Sequence, residues 1–388
     1  MKTFMQQLIL HAIPLYFVVY VYYRLLKRLP GPRWISLALV LVLTLGSQYV
    51  ALARYNLYGL GQSLPYALWS VWGFFYNSFV LLALLTLIFD AVQLLAYWRH
   101  KNLNQHLRLG ALLVLILGFA LGLLGHQQAL REPPVKAFNV YIDDLPPQFE
   151  GFTIAQLSDV HISALFNRDT VKALVKQTNQ LNADIITVTG DLLDGQFATL
   201  QSSVEPLTHL KAKEGVYVVE GNHEHYYDYD HWIAYFRDQP WFFLQNESHC
   251  IERGSARMSI IGLTDPMAKR YHREEPDIEK ALKKVQPEDV KILLSHQVKQ
   301  TRQWANKDID LQLSGHTHGG QILGMTLLAS HLNDGFVSGL YKVGHLQLYV
   351  NPGTFLWYGS PVRLGVPSEI SLITLLPSKA NKPVASSD

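Results

Sequence analysis

Asp310-Leu311-Gln312-Leu313-Ser314-Gly315-His316-Thr317-His318-Gly319-Gly320-Gln321 is the stretch from which the rest of the chain can be read. Its first four residues have the pattern of a short strand feeding a loop. On an extended backbone, side chains at i and i+2 point to the same side, so the two imidazoles can face one point. The flanking glycines remove side chains that would block close approach and permit backbone angles closed to other residues. A lone His-x-His is common on protein surfaces, so its meaning depends on partners elsewhere in the chain.

Those partners stand at the ends of other predicted strands. Ser158-Asp159-Val160-His161 follows the strand Phe152–Leu157, and Thr189-Gly190-Asp191 follows Ile185–Val188. Glu220-Gly221-Asn222-His223-Glu224 follows Val216–Val219, and Ser295-His296 follows Ile292–Leu294. Between them lie helical patterns at Arg168–Leu181, Thr199–Leu210, Trp232–Arg237 and Ile278–Val285. Further strand patterns fall at Asn139–Ile142, Ser259–Leu263, Leu346–Val350 and Ile370–Leu375. Strands alternating with helices predict an α/β layered domain. In such sheets the ligand crevice lies at the carboxyl ends of the strands, so the five motifs are expected to converge on one edge. Carboxylates and imidazoles without a thiolate suit divalent Mn, Fe, Zn or Co. A pair of metals about 3.5–4 Å apart needs a bridging group and several more donors. Asp159, His161, Asp191, Asn222, His296, His316 and His318 supply such a set.

Taken in this order, Asp-x-His, Gly-Asp, Gly-Asn-His-Glu, His and Gly-His-x-His resemble the calcineurin-like metallophosphoesterase superfamily, in its membrane-associated branch. The resemblance runs from about Gly151 to Leu375, with all five motifs intact. It implies a two-sheet α/β/β/α sandwich. It implies one metal on Asp159, His161, Asp191 and His318, and a second on Asp191, Asn222, His296 and His316, with Asp191 bridging. His223 is then no ligand; its position protonates the leaving group or steadies the phosphate. The implied reaction is in-line attack on phosphorus by a hydroxide held between two cations. The branch includes enzymes that cleave the pyrophosphate of a UDP-linked diacylated glucosamine, which offers a candidate substrate class.

The first third of the chain is a different object. Four apolar runs, at about Phe4–Tyr23, Trp34–Ala53, Tyr66–Ile88 and Leu109–Gly125, approach the ~20 residues that span a bilayer as helix. Tyr20, Tyr22, Tyr23, Trp34, Tyr97 and Trp98 crowd their ends, as at membrane interfaces. The first run is too long for a signal peptide and lacks a small-residue cleavage site, so it is expected to remain as a span. Residues 1–136 hold 11 Lys and Arg against 2 Asp and Glu, a charge of +9; the remainder holds 22 against 29, or −7. That acidic remainder argues against a nucleic-acid binder, which needs a basic footprint. The single cysteine, Cys250, excludes an intramolecular disulfide. The expected organisation is therefore a bundle of about four transmembrane helices over residues 1–128, and a linker with a first edge strand over 129–148. A phosphoesterase domain follows over 149–377, with a disordered tail at 378–388. Basic loops stay cytoplasmic. Arg24, Lys27, Arg28 and Arg33 mark the first loop and Arg99, Lys101 and Arg108 the third. An even number of spans then puts the catalytic domain outside the cell membrane.

Several residues have a plainer alternative. Asp194 reads as a turn or helix cap in preference to a support for the Gly190-Asp191 loop. Glu224 and His225 read equally as orienting groups for His223 and as solvated loop. Trp232, Tyr235 and Phe236 read as a helix face on the core, while the rest of the aromatic stretch from Tyr226 to Phe243 is open to a lipid-facing lip. His331 and His345 read as structural, Gln321 as a possible substrate contact, and Arg363 as a surface salt bridge that could otherwise meet a phosphate. The leading expectation is a membrane-anchored, dinuclear metal-dependent phosphoesterase acting on a phosphoester or pyrophosphate, in one version lipid-linked, among membrane lipids. The rivals are a protein or small-molecule phosphatase near the membrane, and a sensor or scaffold with an inert domain.

Overall fold

A computed structural model describes residues 2–56, 64–99, 107–357 and 359–378. The predicted tail beyond 378 and the loop residue Lys101 lie outside them. The chain divides into two compact units, one comprising 1–131 with 357–367 and the other 132–356 with the residues from 368 on.

The first unit is helical: α1 Lys2–Arg24, α2 Arg33–Ser47, α3 Tyr49–Asn56, α4 Tyr66–Trp98 and α5 Leu107–Leu130. Among the described residues three helical stretches are long and apolar enough to cross a membrane: 33–51, Tyr66–Trp98 and Leu107–Leu130. The first predicted run coincides with α1, which carries Pro14 inside it and is not one of those three. Ala111, Leu115, Gly118, Gly122 and Ala129 form the buried stripe of α5 at helical period. A Cβ at Gly118 would overlap Leu82 of α4 and one at Gly122 would overlap Ser78, so small residues here set how closely the helices approach. Leucines 37, 41, 45, 84, 87, 113, 117 and 124 face outward, the apolar exterior a lipid-facing helix presents. The third run is longer than predicted, since α4 continues to Trp98. Asp90 accordingly sits inside the helix, bound by Arg24 at 2.5 and 2.9 Å and by Tyr20 at 2.7 Å.

Two features of this unit were not expected. Residues 357–367 group with the helices although the strands on either side belong to the other unit. Asn77 donates to the Pro361 carbonyl at 2.5 Å, and Arg363 N–H donates to Gly125 O at 3.0 Å. Arg363 is therefore not a surface salt bridge. It is wholly buried and donates to the Val366 carbonyl at 3.2 Å, because its segment folds back on α5 instead of staying at the rim of a sheet.

The second unit is two six-stranded sheets. The first, in the order β1-β12-β2-β3-β4-β5, uses β1 Val135–Ile142, β2 Thr153–Leu157, β3 Ile185–Thr189, β4 Val216–Val219, β5 Phe242–Phe243 and β12 Ile370–Pro377. The second, in the order β10-β11-β9-β8-β7-β6, uses β6 Glu247–Arg253, β7 Ala256–Gly262, β8 Val290–Leu294, β9 Leu311–Ser314, β10 Gly339–Val343 and β11 Leu346–Val350. As expected, β1 is an edge strand, paired parallel with β12 from Val135 opposite Ile370 onward. Ile154, Ile185 and Val219 of the first sheet meet Met258, Ile260, Ile292, Leu311 and Leu313 of the second in one core. Strands β2, β3, β4, β8 and β9 are buried on nearly every residue, because helices cover the outer faces. These are α6 Arg168–Asn179, α7 Phe197–Val204, α8 Tyr229–Arg237, α9 Ile278–Leu282 and α10 Thr301–Trp304; α11 Met325–Leu332, which buries none of its residues, is the exception. Asn167 caps α6, its side chain accepting from the N–H groups of Asp169 and Thr170, and Val171, Leu174 and Val175 face inward as their spacing predicts. Neighbours β2, β3 and β4 run parallel, as do β7, β8 and β9. Within each sheet their carboxyl ends thus share one edge.

Candidate metal centre

The strand-end loops bring the predicted ligands into two groups. Asp159, His161 and His318 have donor atoms within 4.8 Å of one another, as do Asp191, His296 and His316. In the first, His318 Nε2 lies 3.4 Å from Asp159 Oδ1 and 3.2 Å from His161 Nε2. In the second, His296 Nε2 lies 3.1 Å from Asp191 Oδ2 and 3.2 Å from Asn222 Oδ1. The same Asp191 oxygen is 3.7 Å from His161 Nε2, so it stands between the groups. All seven residues named from the sequence are thus in one place.

The backbone reaches this arrangement at a cost. Asp159, His161, Asp191, His316 and His318 all have left-handed φ, from 45° to 70°. For residues other than glycine that conformation costs roughly 1–3 kcal/mol, and it clusters where a site over-determines the chain. Glycine is required where these loops pass each other. A Cβ at Gly221 would overlap the Asp191 carboxylate, and one at Gly315 would overlap Ser158 and Asp159.

The donor atoms are oriented by hydrogen bonds behind them. His296 Nδ1 bonds the Thr189 carbonyl at 2.7 Å, which fixes a proton there and turns Nε2 into the centre. His161 Nδ1 meets Asp194 at 3.1–3.2 Å, with the same effect. His316 N–H donates to both oxygens of Asp159 at 3.1 Å, and Ser158 Oγ donates to Oδ2 at 2.7 Å. Thr354 and Phe355 N–H groups bond the carbonyls of Ser158 and Asp159 at 2.7 and 3.1 Å, so the segment after β11 clamps the first loop.

Electrostatics agree with a cation-binding role. Burial works to raise the Asp191 carboxyl, but the charges of His296, His223 and His161 outweigh it and hold it well below the ordinary range. Burial, with the charge of His296, pushes His316 down to about 3, leaving a neutral imidazole able to donate a lone pair. Two buried carboxylates, one amide oxygen and four inward-turned imidazoles, without a thiolate, form a hard-to-borderline donor set that divalent cations would satisfy. The residues present fit the dinuclear centre.

Asp194, read as a cap, is instead shared by two histidines. Its Oδ1 is 3.2 Å from His161 Nδ1 and 2.5 Å from His223 Nδ1. Glu224 is no solvated loop residue. It is fully buried and accepts the N–H groups of Gly221, Leu192 and Asp191 at 2.6, 2.7 and 3.1 Å, tying two strand-end loops together. His225 is buried on Glu220 at 3.1 Å. Tyr226, which the sequence places only in the aromatic stretch, joins the centre: its hydroxyl accepts from Asn222 at 3.2 Å and its ring stands edge-on to His223. His223 itself keeps its Nε2 3.9 Å from Asp191 Oδ2, outside the ligand groups that hold Asp159 and Asp191. Burial pulls His223 down, but Asp191 and Asp194 lift it to about 9; bound cations would oppose that lift. Trp232 and Phe236 pack in the core as expected, and Tyr227, Trp241 and Phe243 are buried too, which leaves little of the aromatic stretch for a lipid-facing lip. His331 and His345 are exposed and take no part, and Gln321 closes the His318 turn with its N–H on the His318 carbonyl at 3.1 Å.

Residues 152–320 match the calcineurin-like phosphoesterase family. An uncharacterized metallophosphoesterase of Helicobacter pylori is 36% identical over 281 residues, 72% of this chain and 73% of the relative. A transmembrane protein with metallophosphoesterase domain from Bos taurus is 35% identical over 305 residues, 74% of this chain and 68% of the relative. An uncharacterized metallophosphoesterase of Campylobacter jejuni is 28% identical over 363 residues, 92% of this chain and 94% of the relative, so that alignment takes in the helical unit as well. The matched span contains every strand-end motif from Asp159 to His318, and the chain belongs to the calcineurin-like phosphoesterase family.

Proposed function

We propose that the protein is a membrane-anchored phosphoesterase that hydrolyses a phosphoester or pyrophosphate bond, with a lipid-linked phosphate as its favoured substrate class. The family typically binds a dinuclear metal centre. The observation that carries the proposal is the placing of Asp191 Oδ2 between two ligand groups, with His223 beside it on a carboxylate of its own. Asp159, His161 and His318 would hold one cation, Asn222, His296 and His316 the other, and Asp191 both. Two such cations supply Lewis-acid clamping of phosphate oxygens and a water acidified towards neutral pH.

The chain's own residues do the rest. Asp194 fixes the His223 ring through Nδ1 and leaves Nε2 facing the centre, where it can give a proton to the departing oxygen. Glu224 holds the Asp191 and Asn222 loops at a constant separation. The helical unit, with three stretches apolar enough to span among its described residues, supports a membrane location and hence a substrate met at a bilayer.

The experiment is metal analysis of the purified protein together with hydrolysis of an aryl phosphodiester and of a lipid-phosphate panel. Two divalent ions per chain and chelator-sensitive turnover are expected, with both lost in Asp191→Ala. Full activity and two bound ions in that variant would defeat the assignment. A wild-type chain without metal or turnover would favour an inert scaffold.

A further inference from the structure

Immediately after the His318 turn the chain turns apolar residues outward. From Gly319 to Asn333 there is no Asp, Glu, Lys or Arg. Helix α11 within this run buries none of its residues. Leu323 is 76% and Leu327 78% exposed, and Met325, Leu328 and Leu332 are exposed around them. Elsewhere in this unit helices hide their apolar residues, as α8 hides Trp232 and Phe236. The run is not a loose appendage. Met325 N–H bonds the Ile322 carbonyl at 2.9 Å. Gly320, at φ 77°, lies so close to the helix start that a Cβ on it would stand 2.8 Å from Thr326 N and Cα. The first turn of α11 is therefore fixed against the loop that carries His318.

We propose that α11 and Leu323 rest in the surface of a lipid bilayer beside the candidate metal centre. Eight residues make a helix of about 12 Å, too short for the ~30 Å core but enough for the boundary between headgroups and acyl chains. A run without charge can enter that boundary with no ion to desolvate. The choice of occupant follows from the same chain. A bilayer holding its apolar helices keeps a lipid surface at constant high effective concentration, whereas a second copy or a soluble partner must be met by diffusion. A lipid whose acyl chains stay in that layer would bring its phosphate to the His318 side of the centre. This consequence rests on the phosphoesterase reading; the contact itself does not.

The test uses the full chain reconstituted in vesicles, with Cys250→Ser as background and a nitroxide attached through Leu323→Cys, Leu327→Cys or, as an aqueous reference, Lys172→Cys on α6. Collisions with oxygen should dominate over those with a water-soluble nickel complex at 323 and 327, and the reverse should hold at 172. A water-exposed profile at 327 would overturn the proposal. So would spin–spin broadening at 327 that disappears on dilution with unlabelled protein, since a second copy would then cover the helix. Leu327→Glu combined with Leu328→Glu should lower turnover of a vesicle-borne phosphodiester and leave that of a soluble aryl phosphodiester unchanged. An apolar depth without any turnover would keep the contact and defeat only the enzymatic reading.

Discussion

His223 shows how much of this site depends on a single hydrogen bond. Its ring meets Asp194 at 2.5 Å through Nδ1, with Nε2 3.9 Å from Asp191 Oδ2, and in the proposed reaction Nε2 gives the proton. His223→Ala is expected to keep both metals and slow hydrolysis by ~10²–10⁴-fold, the range typical of general-acid loss. The defect should shrink for an aryl leaving group that needs no proton, and metal analysis alongside rates for two leaving groups checks both points. Metal loss in the variant would make His223 a ligand. At this scale the sequence was legible wherever a motif sits directly behind its own strand, as Asp159, Asp191 and His316 do. Asp194 was not, because its two partners lie 33 and 29 residues away and meet it only once β2, β3 and β4 pair. Arg363 was misjudged for a similar reason: charge predicts exposure unless a fold-back hides it.

The elements repeat the lesson. Parallel strands with buried faces announce themselves as apolar runs, so β2, β3, β4, β8 and β9 were readable. The two-residue β5 and the half-exposed β6 and β10 carry no such run. Helix α11 was missed because it has no polar face to set its period. One tie between elements is open to measurement by pH. Asp184, beside the start of β3, accepts from Thr153 N–H at 2.8 Å, from Lys213 at 3.1 Å and from Arg253 at 2.9 Å. Burial would raise its carboxyl, but these partners hold it below the ordinary 3.8. A depressed folded value means that the bond's stabilisation is complete above the unfolded value and is lost as pH falls through the folded one. The melting temperature of Asp184→Asn should therefore lie below that of the wild type at pH 6, and the gap should narrow as pH falls below 3.8. A gap independent of pH would assign the loss to packing.

For the whole molecule, the charge pattern of the loops gives a prediction that stands apart from the chemistry. Basic residues gather at Arg24 to Arg33 and at Arg99 and Arg108, while the stretch between the second and third apolar runs carries Arg54 alone. We expect the phosphoesterase unit on the extracytoplasmic side. A reporter active only in the cytoplasm, fused after Leu375, should be silent, and one active only outside should work; the opposite pattern would invert the topology. The excursion of residues 357–367 has another consequence. The polypeptide leaves the helical unit at 131, returns to it at 357 and departs again at 368. The two units are thus interleaved along the gene, not appended end to end. An ancestral fusion of a complete phosphoesterase to a complete anchor would have left one junction, and this chain has three. Exchanging the anchor between relatives would require two coordinated replacements, so the helices and the loop between β11 and β12 should be inherited together.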